Sequence, residues 1–349
     1  MSDLPEQDPL NPDDSVTPVE ILPPDRETGE AWTPEQAPLA LPLAANDPSL
    51  PIAEVAETEQ QQPAAEPPLF QSYTQPEIVA PERIPNLGNL VMLGLLVFVG
   101  LLCAGLLTWS AMYFHLFGVA TPQQAMTDIR YILGSQALAY FFTFGACLLV
   151  FPLFWHESFL AGLQWRGRTA LKQGRRLTGA AFVCFGLAIA DGLLFHETAD
   201  TPIEKLFRSP GAAWLLFAFA VTLAPFFEEI VFRGFLLPSL CTAWDWAIEK
   251  STGKPARPLD ANGHPQWSLF AMIAGSVLTS IPFAAMHLEQ TGYAVGPFLL
   301  LVCVSLVLCW ARLSTRSLAA SVLVHACYNF LLFSIMLLGT GGFKHLDKM

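Results

Sequence analysis

From Leu87 onward, the chain is built of apolar runs about as long as a lipid bilayer is thick. A transmembrane helix needs roughly 20 mostly apolar residues. Seven runs come close to this length, near residues 87–113, 131–155, 178–195, 212–237, 268–287, 293–311 and 317–338. Because irregular backbone cannot face lipid, the pattern predicts an all-α fold, a polytopic helical membrane bundle of about seven transmembrane helices, within a range of about six to eight. We expect Pro225 to break the fourth run, and Gly234 and Pro238 to bend it near its end.

The 86 residues before the first run have a different composition. They contain 17 acidic and two basic residues, a net charge of −15, whereas the remainder of the chain has a net charge of +3. They also hold 17 of the 28 prolines. Such a segment buries too little apolar surface to offset its chain entropy, so we predict a disordered acidic Pro-rich tail over 1–86. It is either a solvated spacer or a docking tail for a partner protein, and we expect no nucleic acid partner for the chain.

Basic residues orient the predicted helices, since the cytoplasmic connections of membrane proteins are rich in Lys and Arg. The 156–177 connection holds five bases against one acid, Glu157. The bases are Arg166, Arg168, Lys172, Arg175 and Arg176. This places the connection in the cytoplasm. Alternation then puts the acidic tail, the 238–267 loop and the 312–316 turn on the same side, with the C-terminus outside.

The same connection interleaves apolar residues with its charges, namely Phe159, Leu160, Leu163 and Trp165. This pattern is typical of a short helix in the headgroup layer, with its apolar face toward the acyl chains and its bases toward anionic lipid. Membrane lipid is therefore one expected partner. The alternative interpretation is that the charges only set the topology.

Two adjacent carboxylates, Glu228 and Glu229, lie inside the fourth apolar run. A charged side chain at mid-bilayer costs from about 2.5 to more than 10 kcal/mol, so an acid in this position indicates a functional site. Other polar residues occur in equally apolar runs, namely His287, His325 and Asn329. A single such residue can form a hydrogen bond between two helices, which stabilises their association by about 0.6 kcal/mol. A set spread over three predicted helices favours a site.

Helical spacing separates the two glutamates. Residues four apart share a face of a helix, whereas adjacent residues are about 100° apart. Glu229 and Arg233 are four apart and are expected to form an ion pair. Glu228 then faces elsewhere, toward a cavity, where it can act as a general base. The same spacing puts His325 and Asn329 on one face of the last helix.

Two hydrolytic chemistries fit these residues. In the first, Glu228 and His287 activate a water molecule that attacks a carbonyl, and the last helix stabilises the oxyanion through His325 and Asn329. In the second, a divalent metal such as zinc is held by Glu228, His287 and His325. The HExxH zinc motif is absent. A proton-coupled transporter is the rival from another class, although we find no inverted repeat between the two halves.

Three motifs in the apolar runs resemble those of the CPBP family, which comprises type II CAAX prenyl endopeptidases and the Abi or bacteriocin-processing proteins. EEIVFR (Glu228–Arg233) is similar to EExxxR, FAAMH (Phe283–His287) to FxxxH, and HACYN (His325–Asn329) to HxxxN. The motifs occur in the family's order, and each lies in a predicted transmembrane helix. The set of three is far more specific than any one of them.

The resemblance implies an intramembrane endopeptidase over about 130–338, preceded by a first helix and connection (87–129) and followed by a short tail (339–349). It assigns water activation to Glu228 and His287. It assigns the oxyanion hole to His325 and Asn329. It assigns Glu229 and Arg233 to a supporting ion pair.

The family also sets expectations for substrate and setting. Its members have been read both as metalloproteases and as glutamate-dependent enzymes. The expected substrate is a membrane-associated protein or peptide, prenylated in eukaryotic members, and some members act as scaffolds without proteolysis. We expect an integral protein of the bacterial inner membrane, with the N-terminal tail in the cytoplasm.

Overall fold

The computed structural model of the protein describes residues 83–195, 210–261 and 263–344. Within these ranges the secondary structure is helical, without a strand; the one β-type pairing is an isolated bridge between Leu259 and Pro265. The predicted all-α fold is confirmed. The predicted disordered tail lies outside the described residues, apart from its last four.

The helices follow one another with short connections. In chain order they are α1 (Leu87–Tyr113), α2 (Pro122–Ala125), α3 (Ile129–Trp155), α4 (Phe159–Gly162), α5 (Gly167–Lys172), α6 (Gly174–Leu194), α7 (Pro210–Val221), α8 (Leu223–Glu229), a π-helical segment (Ile230–Leu236), α9 (Leu237–Thr252), α10 (Leu269–Ala285), α11 (Val295–Thr315) and α12 (Leu318–Gly339). In the described part, six helical stretches are long and apolar enough to cross a membrane. The apolar helix α10 is shorter, at 17 residues. These findings agree with the predicted bundle of about seven helices.

Helix α1 begins where the sequence predicted and is anchored at its start. Asn86 caps it, because its side chain accepts from the Asn89 N–H while the Asn89 side chain accepts from the Asn86 N–H. Trp155, at the end of α3, donates to Asn89 Oδ1 at 3.2 Å. Along the same pair of helices, a Cβ at Gly100 would collide with the Thr143 hydroxyl. Glycine therefore allows α1 and α3 to approach closely.

The fourth predicted helix, 212–237, is part of a longer helical stretch, Gly211–Thr252. It is interrupted at Thr222 (φ −117°, ψ −74°), three residues before Pro225. Proline has no N–H and its ring clashes with the carbonyl four residues earlier, which explains a break at this place. The π-helical segment follows directly, and Gly234 lies within it.

The prediction of a loop over 238–267 is wrong in its first half. Pro238 stands in the first turn of α9, where its missing N–H breaks no hydrogen bond within that helix. The helix then continues to Thr252 and ends at Gly253, whose positive φ of 66° suits glycine. The polar side chains of 239–252 misled the prediction, because charge alone does not stop a helix.

The 156–177 connection forms α4 and α5, but its apolar residues do not face lipid. Phe159 and Leu163 are fully buried and pack with Phe235 of the π-helical segment. The predicted headgroup helix with this apolar face toward the acyl chains is therefore wrong. These apolar residues pack on the protein's own core. The sequence pattern of an apolar helix face is the same whether lipid or protein covers that face, which is why the prediction failed.

Two apolar clusters enclose the middle of the long helical stretch. One contains Phe232 of the π-helical segment together with Phe283 and Val324. The other contains Phe235 of the same segment and Phe151 of α3. Polar side chains between these clusters have little access to water, so their partners must come from the protein.

Candidate active site

The paired glutamates are the last two residues of α8, at the junction with the π-helical segment. A π-helical turn is rare and is frequently found at functional sites. Glu229 is fully buried, and Glu228 keeps 11% of its side chain exposed. The two neighbours therefore occupy different environments, as the helical spacing predicted.

Arg233 holds Glu229 in a fully buried ion pair. Its Nη1 donates to Glu229 Oε1 at 2.8 Å, and neither side chain is exposed. Its Nη2 donates to the Ser305 hydroxyl at 2.6 Å and to the Ser305 carbonyl at 3.0 Å. The guanidinium lies 4.4 Å from the centre of the Phe283 ring. The ion pair expected from the sequence is present, and four contacts fix the orientation of its arginine.

His325 lies between the two glutamates. Its Nδ1 is 3.0 Å from Glu229 Oε1, and its Nε2 is 3.8 Å from Glu228 Oε2. An ionised carboxylate can only accept hydrogen bonds, so Nδ1 carries the proton that is donated to Glu229. A carboxylate behind a histidine fixes the orientation of the ring. Glu229 therefore connects Arg233 to His325.

His287 lies just past the end of α10. The helix ends at Ala285, so the predicted range 268–287 is too long by two residues at this end. The His287 Nδ1 is 2.8 Å from the carbonyl oxygen of Phe283. A carbonyl only accepts, so Nδ1 donates and Nε2 keeps its lone pair in the neutral ring. His287 thus offers a hydrogen-bond acceptor at Nε2.

Asn329 bonds to the break in the long helical stretch. Its Nδ2 donates to the carbonyl of Ala220 at 2.8 Å. Ala220 belongs to the last turn of α7, whose carbonyls lack the usual partners further along the helix. One amide hydrogen of Asn329 is therefore used to satisfy the backbone beside the site.

Four of the six predicted site residues meet in one cavity of ≈ 360 Å³. They are Glu228, His287, His325 and Asn329. Apolar side chains such as Leu216 and Val304 form much of the remaining wall. The other two predicted residues, Glu229 and Arg233, form the buried ion pair described above. The structure thus brings together residues that the sequence places on three separate helices.

The residues suggested as zinc ligands do not form a metal site in this arrangement. Among the residues that the structure describes, no group of three or more His, Cys, Asp and Glu side chains could hold a metal ion. Both ring nitrogens of His325 face a glutamate.

The sequence did not reveal two residues of α11 that support the site. Ser305 binds Arg233, as described above, and Arg312 donates through Nε to the Arg233 carbonyl at 3.2 Å. Arg312 also donates through Nη1 to Gln164 Oε1 at 2.9 Å. It lies within α11 and is only 2% exposed, so the predicted turn over 312–316 was placed too early in the chain. An arginine at a helix end looks the same in sequence whether it faces water or backbone carbonyls.

Residues 210–331 match the family model of type II CAAX prenyl endopeptidase Rce1-like proteins. The matched segment contains all six predicted site residues. This match confirms the resemblance seen in the three motifs, and the matched family is a protease family. The match and the apolar helices together support an integral membrane protein. Comparison with curated proteins and with solved structures gives no match.

Proposed function

We propose that the protein is an intramembrane endopeptidase that hydrolyses a peptide bond of a membrane-associated protein or peptide. The observation that carries the proposal is the shared cavity of Glu228, His287, His325 and Asn329. Its polar groups converge inside a bundle of apolar helices. Such an enclosed site strengthens electrostatic interactions with a substrate.

Glu228 and His287 are the groups that activate water. The Glu228 carboxylate and the His287 Nε2 lone pair are both acceptors that face the cavity, since Nδ1 of His287 is held by Phe283. A water between them donates to both, and its oxygen attacks the carbonyl carbon of the substrate. The water proton moves to Glu228 as the new C–O bond forms. Glu228 then passes it to the leaving amine as the C–N bond breaks.

His325 and Asn329 stabilise the oxyanion. Asn329 has a second amide hydrogen besides the one that it donates to Ala220. His325 already donates through Nδ1 to Glu229, so donation through Nε2 requires a ring with both protons. The carboxylates of Glu228 and Glu229 on either side balance that positive charge. Removal of one such donor typically lowers the rate about 100-fold or more.

Glu229 and Arg233 position this machinery without touching the substrate. Arg233 orients the Glu229 carboxylate, and that carboxylate in turn orients the His325 ring. Because the ion pair is fully buried, its geometry is not loosened by competing water. The mechanism proposed here runs through the protein's own side chains and has no metal step.

The setting of the reaction is part of the same proposal. The substrate is an apolar or prenylated chain that reaches the site from the membrane, as in the CAAX family. We place the protein in a bacterial inner membrane, with the basic 156–177 connection and the acidic tail in the cytoplasm.

The test is cleavage of a fluorogenic membrane-anchored peptide by the purified full-length protein in liposomes. Glu228→Gln and His287→Ala should each lower turnover about 100-fold or more, because each removes an acceptor of the attacking water. Glu289→Gln is the matched control, since Glu289 is exposed and two residues from His287. Turnover should survive treatment with a chelator. Unchanged turnover in both Glu228→Gln and His287→Ala would refute the proposal, and loss with the chelator would refute its metal-free mechanism.

A further inference from the structure

Two open apolar grooves lie side by side on the outer surface of α11. The first, between α6 and α11, has a volume of ≈ 640 Å³ and is lined by Arg176, Gly179, Ala180, Val183, Leu306, Val307 and Trp310. The second, between α10 and α11, has a volume of ≈ 420 Å³. Leu306 and Trp310 line both grooves and form the ridge between them.

Both grooves start at the same end of the bundle. Arg176 lies in the first turn of α6, and Trp310 lies near the end of α11. Leu269, the first residue of α10, lines the second groove. From this end each groove runs along the helices toward the middle of the bundle, where Leu306 lies. Their linings are almost entirely apolar, as acyl chains require.

Four exposed cations, here called the basic rim, lie in α5 and the first turn of α6, namely Arg168, Lys172, Arg175 and Arg176. Of these, Arg176 lines the first groove. The Arg176 guanidinium lies 4.5 Å from the centre of the Trp310 ring. It also donates to Gln173 Oε1 at 3.4 Å. None of the four cations pairs with a carboxylate in the part of the chain that the structure describes. A planar guanidinium held on an aromatic ring is suited to a phosphate group.

We propose that these grooves and the basic rim bind one anionic diacyl phospholipid of the surrounding membrane. The phosphate contacts Arg175 and Arg176, and one acyl chain lies in each groove, on either side of the Trp310 ridge. The positive charge beside the grooves selects an anionic headgroup. Tryptophan is common at the headgroup level of membrane proteins, which agrees with the position of Trp310. The site is separate from the candidate active site and does not depend on the proposed function.

Gly179 offers a way to block one groove without disturbing the fold. A Cβ at Gly179 meets no protein atom within 4 Å, so a larger side chain there would extend into the groove. Gly192, on the same helix, is equally open but lines neither groove. Gly179→Leu and Gly192→Leu therefore form a matched pair with the same change in helix propensity.

The experiment is native mass spectrometry of the full-length protein in detergent, with added dioleoyl phosphatidylglycerol or dioleoyl phosphatidylcholine. One phosphatidylglycerol molecule should bind about tenfold more tightly than phosphatidylcholine, given the strength of charge-assisted hydrogen bonds. Arg175→Gln/Arg176→Gln should abolish this preference. Gly179→Leu should weaken binding of the lipid, and Gly192→Leu should leave it unchanged. Single-chain lysophosphatidylglycerol should bind more weakly.

Equal binding of the two lipids to the wild type would overturn the proposal. A preference for phosphatidylglycerol that survives both Arg175→Gln/Arg176→Gln and Gly179→Leu would also overturn it, because the lipid would then bind elsewhere. The arginine variant changes only exposed side chains, so it provides a result even if Gly179→Leu folds poorly.

Discussion

The centre of the bundle and its basic rim both contain arginine, but the surroundings use the charge differently. In the centre, Arg233 and Arg312 are buried, and fixed hydrogen bonds hold each guanidinium. In the rim, Arg175 and Arg176 are exposed, and neither pairs with a carboxylate in the part of the chain that the structure describes. The comparison shows that burial decides whether a charge organises the protein or remains available for a ligand.

The two central arginines also differ from each other. Arg233 faces a carboxylate, whereas Arg312 is bonded to uncharged acceptors, namely the Arg233 carbonyl and the Gln164 side chain. Arg312 thus connects α11 both to the π-helical segment and to the connection before α5. Arg233 compensates the negative charge of Glu229, whereas Arg312 donates hydrogen bonds to buried backbone and side-chain amide oxygens.

The largest expected effect is on the buried ion pair. Arg233→Met should lower the free energy of unfolding by about 3–5 kcal/mol, because it leaves the Glu229 carboxylate buried without its cation. The double variant Glu229→Gln/Arg233→Met should be more stable than Arg233→Met, since no uncompensated charge remains. Thermal unfolding in detergent measures both. A double variant less stable than the single one would show that the pair is not electrostatically coupled.

A smaller loss of stability is expected when Arg312 is replaced. Arg312→Met removes the donors to the Arg233 carbonyl and to Gln164, and the unfolding free energy should fall by about 1–3 kcal/mol. Removal of an unpaired buried cation offsets part of this cost, which is why the effect should be smaller than at Arg233. Arg316→Met is the control, because Arg316 is more exposed and pairs with Asp260 in a connection. An Arg312→Met variant as stable as this control would contradict the proposed distinction.

Asn329→Ala should separate structure from catalysis within the centre. Loss of the bond to Ala220 should cost about 1 kcal/mol of stability, and loss of the second amide hydrogen should lower turnover about 100-fold. Asn329→Asp keeps the size of the side chain but removes its donors, so it should be similarly slow. Cleavage assays and unfolding measurements on the same samples compare the two effects. Full turnover in both variants would remove Asn329 from the proposed oxyanion hole.

The smallest effect on stability is expected at the partly exposed ion pair of Asp128 and Arg130, at the start of α3. Asp128 caps α3, and the hydrogen bond from the Arg130 side chain lowers the pKa of its carboxyl below the ordinary 3.8. The stability from this lowered pKa is present above pH 3.8 and is lost as the pH falls through the folded-state pKa. The difference in unfolding temperature between wild type and Asp128→Asn should therefore be smaller at pH 3 than at pH 6. At pH 6 the variant should unfold at a slightly lower temperature than wild type, because an ion pair near the surface contributes little to stability. A larger difference at pH 3 than at pH 6 would contradict this assignment.

Local patterns predicted most of the helices and one important contact. The apolar runs located the described membrane helices, and four-residue spacing correctly paired Glu229 with Arg233. Both depend only on neighbours along one helix. The predictions that were wrong concern partners from elsewhere. Phe159 and Leu163 pack on the core instead of lipid, and Arg312 is buried in α11 against oxygen acceptors instead of lying in a turn.

The lengths of the apolar runs and the spacing of the polar residues are enough to predict an apolar helical bundle with charged and polar side chains inside it. The three motifs also pointed to the family whose model matches residues 210–331. The packing of the helices was needed to show that His325 lies between two glutamates almost a hundred residues earlier in the chain. It was also needed to show that Asn329 donates to the Ala220 carbonyl, two residues before the helix break at Thr222. Spacing along a helix decides which residues share a face, whereas packing of the whole bundle decides which faces meet.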